Sequence, residues 1–381
     1  MADPARPVAI IGGGVVGSAV AYALARRGVA TTLLEAEDDL ALGASGTNSG
    51  ILHTGFDSTP GELETELILR SAALRDPVLE QTGIRVLRCG ALLRPHGEEE
   101  ARTVAALAQG ARANGVEVAL RDDGVLEVPG EAVTDPVAYT LALAGAAARA
   151  GAEILTRVQV IGIRREHGRL RLALAGGDEV VCSAAVNCAG LHADDVAALA
   201  GDHSFDVYPR KGEFLVFDPP DGEPLRRILL PVPTKQTKGV LVFPTTDDRI
   251  VAGPTAHDQE DKSDWSVRTE AREQLLGKAR AMLPALERAE PVASYAGLRP
   301  AGRGVNYLIA ASTACRGLVN VAAIRSTGLS ASLGIAEHVA ALVAQQGVPL
   351  GPDRPLAPGA PPGSDRAWWR RTALYRSGVA T

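Results

Sequence analysis

Residues Pro7 to Glu35 read PVAIIGGGVVGSAVAYALARRGVATTLLE, and this stretch decides the fold. Val8 to Ile11 is an apolar run long enough for one buried strand, and Gly12-Gly13-Gly14-Val15-Val16-Gly17 supplies a G-x-G-x-x-G. A small-residue helical stretch from Ser18 to Arg27 follows, stopped by Gly28. A second apolar run, Thr31 to Leu34, then ends on Glu35 and Ala36. Strand, tight turn, helix, strand, acid is the order of a dinucleotide-binding unit. Gly12 permits the sharp turn, Gly14 lets backbone N–H groups approach a pyrophosphate, and Gly17 lets the helix pack on its strand. The helix start at Val15 and Val16 offers those phosphates a partial positive charge. Glu35 can accept hydrogen bonds from a ribose diol and repels a 2′-phosphate, which argues against NADP. The stretch alone leaves NAD and FAD open.

The bulk numbers narrow the class. The chain has 381 residues, room for two domains or one large α/β unit with an insertion. It is 46% hydrophobic and 22% charged, ordinary for a globular protein, and its net charge of −6 comes without a basic block. Nothing therefore points to nucleic acid or an anionic membrane. Cys89, Cys182, Cys188 and Cys315 form no CxxC pair and fit neither a zinc site nor a disulfide framework. No run approaches the about 20 apolar residues of a membrane helix, and glycines break the first apolar run at once. The expectation is a soluble, cytoplasmic protein without a bound metal.

Beyond Glu35 the loop Leu42 to Gly55, LGASGTNSGILHTG, is too glycine-rich for a helix and too polar for a core strand. Ser45, Thr47, Asn48 and Ser49 put hydroxyl, amide and backbone donors in one short segment, chemistry that wraps a phosphate or a flavin. Glu35, this loop, and then Pro60-Gly61 and Leu63 resemble the FAD-dependent D-amino-acid oxidase superfamily. The nearest likeness is to its L-2-hydroxyglutarate oxidase and glycerol-3-phosphate dehydrogenase-like branch. The resemblance implies that the loop, Ser45 through Gly50, runs along FAD and brings His53 to the isoalloxazine.

Helices are expected over Gly61 to Gln81, Glu98 to Asn114 and, behind the N-cap Asp135, from Pro136 to Ala150. Val86 to Leu93 reads as a strand, and Ala152 to Leu174 as a hairpin turning at His167-Gly168. Ala184 to Gly190 is a buried strand running into a glycine turn. By the same resemblance it returns to the FAD sheet and puts Ala189 and Gly190 under the cofactor, with Val158 also at the FAD site. From Phe205 the chain turns to short β-rich segments, with Tyr208-Pro209-Arg210-Lys211-Gly212-Glu213 and Gly297-Leu298-Arg299-Pro300 both matching the superfamily. Leu318 to Ala323 is a strand and Leu329 to Gln345 a helix. The start of that helix, Gly328-Leu329-Ser330, would face the flavin pyrimidine edge and stabilise reduced flavin by about 1–2 kcal/mol.

The expected fold is α/β locally and α+β overall: a Rossmann-type FAD-binding domain carrying an inserted antiparallel β-sheet substrate domain. The FAD domain is assigned to 1–85, 135–204 and 296–347 and the substrate domain to 86–134 and 205–295. A linker and C-terminal tail occupy 348–381, with a short helix over Arg366 to Arg376.

Flavin dehydrogenation needs an anchor for the substrate's acidic group and a means of removing the second proton. Arg299 is the expected anchor, since a guanidinium offers two parallel donors to a carboxylate or phosphate; the alternative is a surface arginine after a strand. His53 is the candidate base, imidazole being able to accept a proton near neutrality. Its other readings are a structural hydrogen bond or covalent flavin attachment, with non-covalent FAD preferred. Arg325 departs from the motif of many relatives and reads as a second anion anchor, a flavin contact or a salt-bridge partner. Lys211 and His257 are further candidates whose other reading is solvated or structural. The function expected is hydride transfer from a small anionic substrate, a 2-hydroxy acid or glycerol-3-phosphate-like alcohol, to flavin N5. Oxygen, a quinone or an electron-transfer protein would take the electrons. The rivals are oxidation of an amino acid or secondary amine, and a flavoprotein electron-transfer subunit. A single G-x-G-x-x-G and the missing redox cysteine pair argue against an NAD-dependent enzyme.

Overall fold

The computed structural model describes residues 7–234, 239–355 and 367–377. Among them are eight α-helices: α1 Val15–Arg26, α2 Leu63–Thr82, α3 Gly97–Ala113, α4 Pro136–Arg149, α5 Ala193–Ala198, α6 Thr269–Met282, α7 Gly328–Gln345 and α8 Trp368–Ser377. Part of the expected linker, residues 356–366, lies outside the described residues.

The strand Val8–Ile11 sits in a six-stranded sheet, flanked in parallel by Thr31–Leu34 and by Ala184–Asn187. Glu153–Leu155 extends the sheet beyond Thr31–Leu34. Leu318–Ala322 extends it on the other side, and Leu308–Ala311 closes that edge antiparallel. Parallel strands buried on both faces need continuous apolar sequence, which Val8–Ile11 and Ala184–Asn187 supply. One face is covered by α1, which packs on α4 and α7, while α7 also packs on α2. The other face carries the antiparallel sheet Val160–Glu166, Arg169–Leu174 and Glu179–Cys182; the hairpin expected from Ala152 starts only at Val160, because Glu153–Leu155 belongs to the parallel sheet.

Local sequence explains the element ends. Asp135 caps α4, its Oδ1 accepting from the Val137 and Ala138 amides at 2.8 and 2.9 Å. Such a cap is worth about 1 kcal/mol. The first glycine turn is fixed by contact: a Cβ on Gly17 would lie 1.9 Å from the Gly12 carbonyl oxygen. One on Gly12, whose φ is +109°, would lie 2.4 Å from that of Cys188. The turn glycines thus let α1 descend onto its strand and let the return strand pass beneath the turn.

The second module is a nine-stranded sheet built on the long strand Val207–Phe217, which pairs antiparallel with Ala293–Gly302 along its length. The sheet is antiparallel except where Ile228–Leu230 runs parallel to Ala91–Leu93. Two expectations are corrected here. Val86 to Leu93 is not one strand: Gly90, at φ +64°, breaks it into Val86–Leu87, which joins a small separate sheet, and Ala91–Leu93. The expected return to the FAD sheet at 296 cuts through Ala293–Gly302, which belongs wholly to the antiparallel sheet. The chain rejoins the parallel sheet at Leu308.

Candidate active site

Two cavities meet between the modules. The larger, about 1260 Å³, runs along the carboxyl ends of the parallel strands, and the smaller, about 410 Å³, lies under the antiparallel sheet. Ala44, Asn48 and Arg325 line both.

The larger cavity begins at Glu35 and Ala36 and passes Gly12, Gly14, Val15 and Val16 at the start of α1. It then reaches Ala189 and Gly190 on one side and Gly328 and Leu329 at the start of α7 on the other. Val158 and Ser45 also line it. Neither N-cap residue, Gly14 of α1 or Thr327 of α7, caps its helix with its own side chain, so both helix starts keep backbone donors and partial positive charge toward this space. The Ser45 hydroxyl accepts from the Val15 amide at 2.9 Å, tying the small-residue loop to the helix start. The Glu35 carboxylate accepts from the Gly13 and Glu37 amides at 2.6 and 3.0 Å, which fixes it at the strand end.

The smaller cavity holds His53, Arg299, Arg210, Thr47 and Ser49. His53 Nδ1 lies 3.0 Å from Oε2 of Glu131, a fully buried carboxylate. The other oxygen of Glu131 accepts from the Thr54 amide and hydroxyl at 2.6 and 2.8 Å. With Nδ1 engaged, Nε2 is the ring nitrogen left for the cavity. The buried Arg75 holds the same segment from behind, donating to the carbonyls of Leu52, His53 and Ser330.

Arg299 is fixed by backbone carbonyls: its Nε donates to Arg210 at 3.0 Å and its Nη2 to Lys211 and Thr255 at 3.1 and 2.8 Å. Among the described residues no carboxylate pairs with it. Burial, with the neighbouring Arg210 charge, pulls the guanidinium down to about 10, so it stays charged at neutral pH. The Y-P-R-K-G-E stretch explains this placement. A Cβ on Gly212 would come within 3.3 Å of the Arg299 guanidinium, and the buried Glu213 accepts from Thr255 Oγ1 and from Arg268, holding the Thr255 loop. Arg325 is more exposed, its Nε donating to Asn306 at 3.0 Å with Glu64 3.9 Å from its Nη2.

Residues 7–342 match the family described as "DAO: FAD dependent oxidoreductase". The chain belongs to the DAO family of FAD-dependent oxidoreductases. It is 28% identical over 348 residues to a glycerol 3-phosphate dehydrogenase of Caloramator mitchellensis, covering 87% of this chain and 72% of that protein. It is 29% identical over 279 residues to human mitochondrial L-2-hydroxyglutarate dehydrogenase, covering 65% of this chain and 60% of that one. Among solved structures, an FAD-bound, dithionite-reduced L-alpha-glycerophosphate oxidase from Mycoplasma pneumoniae superposes with a TM-score of 0.85. That match has 26% identity and covers 93% and 98% of the two chains. Glycine oxidase from Geobacillus kaustophilus superposes at 0.78, with 28% identity over 89% and 95%.

The DAO-family cofactor fits what the larger cavity offers. Glu35 would meet the ribose, the start of α1 the pyrophosphate, and the start of α7 the far end of the dinucleotide. Not every expected residue lines a cavity. Gly17 serves helix–strand packing. Gly50, at φ +76°, is pressed against the Thr134 carbonyl. Ser330 is buried in α7, where its hydroxyl accepts from the His53 amide at 2.8 Å and donates to Ile51 O. It therefore clamps the His53 strand rather than facing the cofactor.

Lys211 is corrected as a substrate ligand. It follows Arg210 on a strand, so it points to the opposite face, where it is fully buried and bonds Asp264 at 2.7 Å. That bond, helped by Ser266, holds the Asp264 carboxyl down to about 2. His257 is exposed at the sheet edge beside Lys211. Sequence reasoning missed Glu131, Arg75 and Arg210. Glu131 lies 78 positions from His53 in an unremarkable V-P-G-E-A-V, and no local pattern signals their meeting. Among the described residues no helix is long and apolar enough to cross a membrane.

Proposed function

We propose that the protein oxidises the carbinol carbon of a small anionic substrate, a glycerol-3-phosphate-like alcohol or a 2-hydroxy acid. Bound FAD supplies the hydride acceptor at flavin N5. Arg299 holds the substrate's phosphate or carboxylate, with Arg325 at the junction of the cavities as the second cationic contact. His53 Nε2 takes the hydroxyl proton as the hydride departs, and Glu131 leaves that nitrogen free to do so by accepting a hydrogen bond from Nδ1–H. As the ring gains its proton, the buried carboxylate stabilises the resulting charge. The observation that carries the reading is one cavity holding both an imidazole backed by a buried carboxylate and an arginine with no carboxylate partner among the described residues.

The likeness to glycine oxidase supports a second reading, oxidation of an amine, which can lose hydride as a neutral base without a proton acceptor. Anaerobic bleaching of the flavin against glycerol 3-phosphate, L-2-hydroxy acids and amino acids separates the two. Bleaching by amino acids alone would overturn the alcohol reading, and bleaching by none would favour an electron-transfer subunit. Re-oxidation of the bleached protein by oxygen against a quinone analogue assigns the acceptor.

A further inference from the structure

The C-terminal helix α8 is separated in sequence from the rest of the site, yet two of its residues, Tyr375 and Arg376, line the larger cavity. Its first turn is anchored in the antiparallel module. Trp368 and Trp369 are 1% and 2% exposed, Trp368 meets the Tyr295 ring edge-on at 5.5 Å, and Trp369 Nε1 donates to Asp247 at 3.2 Å. Arg371 of that turn and the last turn of the helix grip the loop that follows Glu35. Arg371 Nη2 donates to Asp39 and to the Leu40 carbonyl, and Arg376 Nε donates to the Leu42 carbonyl at 2.8 Å. Glu37 receives the Tyr375 hydroxyl at 2.5 Å and pairs with Arg376 at 3.1 Å. The Arg376 guanidinium also lies 4.7 Å from the centroid of the Trp265 ring, another cavity wall.

The same few residues thus join three walls of the dinucleotide cavity: the loop of Glu37 and Leu42, Trp265 from the antiparallel module, and α8 itself. Loop carbonyls that would otherwise face water are satisfied by arginines from the far end of the chain. Arg376 uses Nε and one terminal nitrogen on the protein, and Nη2 has no hydrogen-bond partner among the described residues. A cation in that position suits an anionic dinucleotide.

We propose that α8 is a clasp on the cofactor, with Tyr375 and Arg376 forming part of the FAD site and the helix setting how fast FAD leaves. The inference rests on FAD occupying the larger cavity.

The test uses the FAD-loaded 381-residue protein, a chain ending at Pro355, and the point variants Arg376→Ala and Tyr375→Phe, which leave the tryptophan anchor in place. FAD release is followed by the rise in its fluorescence, and unfolding temperature is measured with and without FAD. Release should be about tenfold faster or more for the shortened chain and several-fold faster for Arg376→Ala, an equivalent of about 1.4 kcal/mol per decade. The FAD-dependent rise in unfolding temperature should shrink in both. Unchanged release from a folded shortened chain overturns the clasp. So does an Arg376→Ala variant that loses as much stability without FAD as with it, since that is a structural contact only. If the shortened chain does not fold, the two point variants decide. A 381-residue protein that holds no FAD would instead overturn the cofactor assignment.

Discussion

Replacing Glu131 by Gln is the sharpest test of the proton-transfer step. One oxygen of the buried carboxylate accepts two bonds from Thr54 and the other faces His53 Nδ1. A glutamine has a single acceptor oxygen, and two donors at Thr54 claim it against one at His53. The amide nitrogen then faces Nδ1 and donates to it, which moves the imidazole proton to Nε2 and closes the cavity-facing lone pair. The charge that would stabilise the protonated ring is lost as well. A hydrogen bond to a charged group contributes about 1.5–3 kcal/mol, which at 1.36 kcal/mol per decade is about 10- to 150-fold in rate. Alanine is the poorer choice, because it strands three half-buried donors at once, at up to about 1–3 kcal/mol each. The assay is anaerobic stopped-flow bleaching of the flavin by the preferred alcohol, with substrate affinity read from the concentration dependence. The limiting rate should fall by the stated factor with affinity little changed. A limiting rate within about twofold of the parent, or a loss confined to affinity, would refute Glu131 as the group that positions the base.

Three further outcomes follow from the same contacts. Arg299→Lys should weaken substrate binding by about 10- to 100-fold, since an ammonium cannot hold three carbonyls and still present the two N–H groups that Nη1 has left; equilibrium titration of the flavin spectrum measures it, and anion binding to the parent should decline above about pH 10. Asp264→Asn should destabilise the fold by about 1–2 kcal/mol, a value reduced for solvent at Asp264, because it leaves Lys211 buried without its partner. The Asp264 carboxyl is held below its unfolded value, so its contribution is full above about pH 4 and is lost as pH falls through about 2. Thermal unfolding of parent and variant should therefore converge across that window. Gly297→Ala puts a Cβ 2.7 Å from the Thr47 hydroxyl, and it should slow flavin reduction more than it lowers the unfolding temperature.

The parallel unit was legible because it is local: Pro7 to Glu35 contains strand, turn, helix and acid in order, each with its own chemical signature. Return segments such as Ala184–Asn187 could be read as buried strands, and the resemblance supplied their neighbour. Lys211 was misread because alternation along a strand decides its face, and nothing in Arg210-Lys211-Gly212 says which residue looks inward. Glu131 stayed hidden for another reason. A buried carboxylate is defined by its partners, and His53 and Thr54 reach it only after the small sheet pairs Ile51–Leu52 with Ala132–Thr134. The short helix expected over Arg366 to Arg376 says nothing by itself about its surface; only the fold shows Trp368 and Trp369 buried against the antiparallel module.

The proposed base and the proposed anchor come from different modules, and this sets what the chemistry would demand of the fold. His53 follows a two-residue strand in the small sheet next to the parallel unit, backed by Arg75 and clamped by Ser330 of α7. Arg299 stands on a long strand of the antiparallel sheet and is held by that sheet's own carbonyls. Each side chain is locked within its module, so their separation is set by how closely the two modules approach. That approach includes Gly297 against Thr47, where even a methyl group would have to displace the loop. A displacement on the order of 1 Å between reacting groups can cost about 100-fold in rate. The glycine of the Gly-Leu-Arg-Pro stretch therefore has a physical reason to stand two residues before the arginine: it sets the distance across which, in the proposed mechanism, the arginine and the histidine would share one substrate.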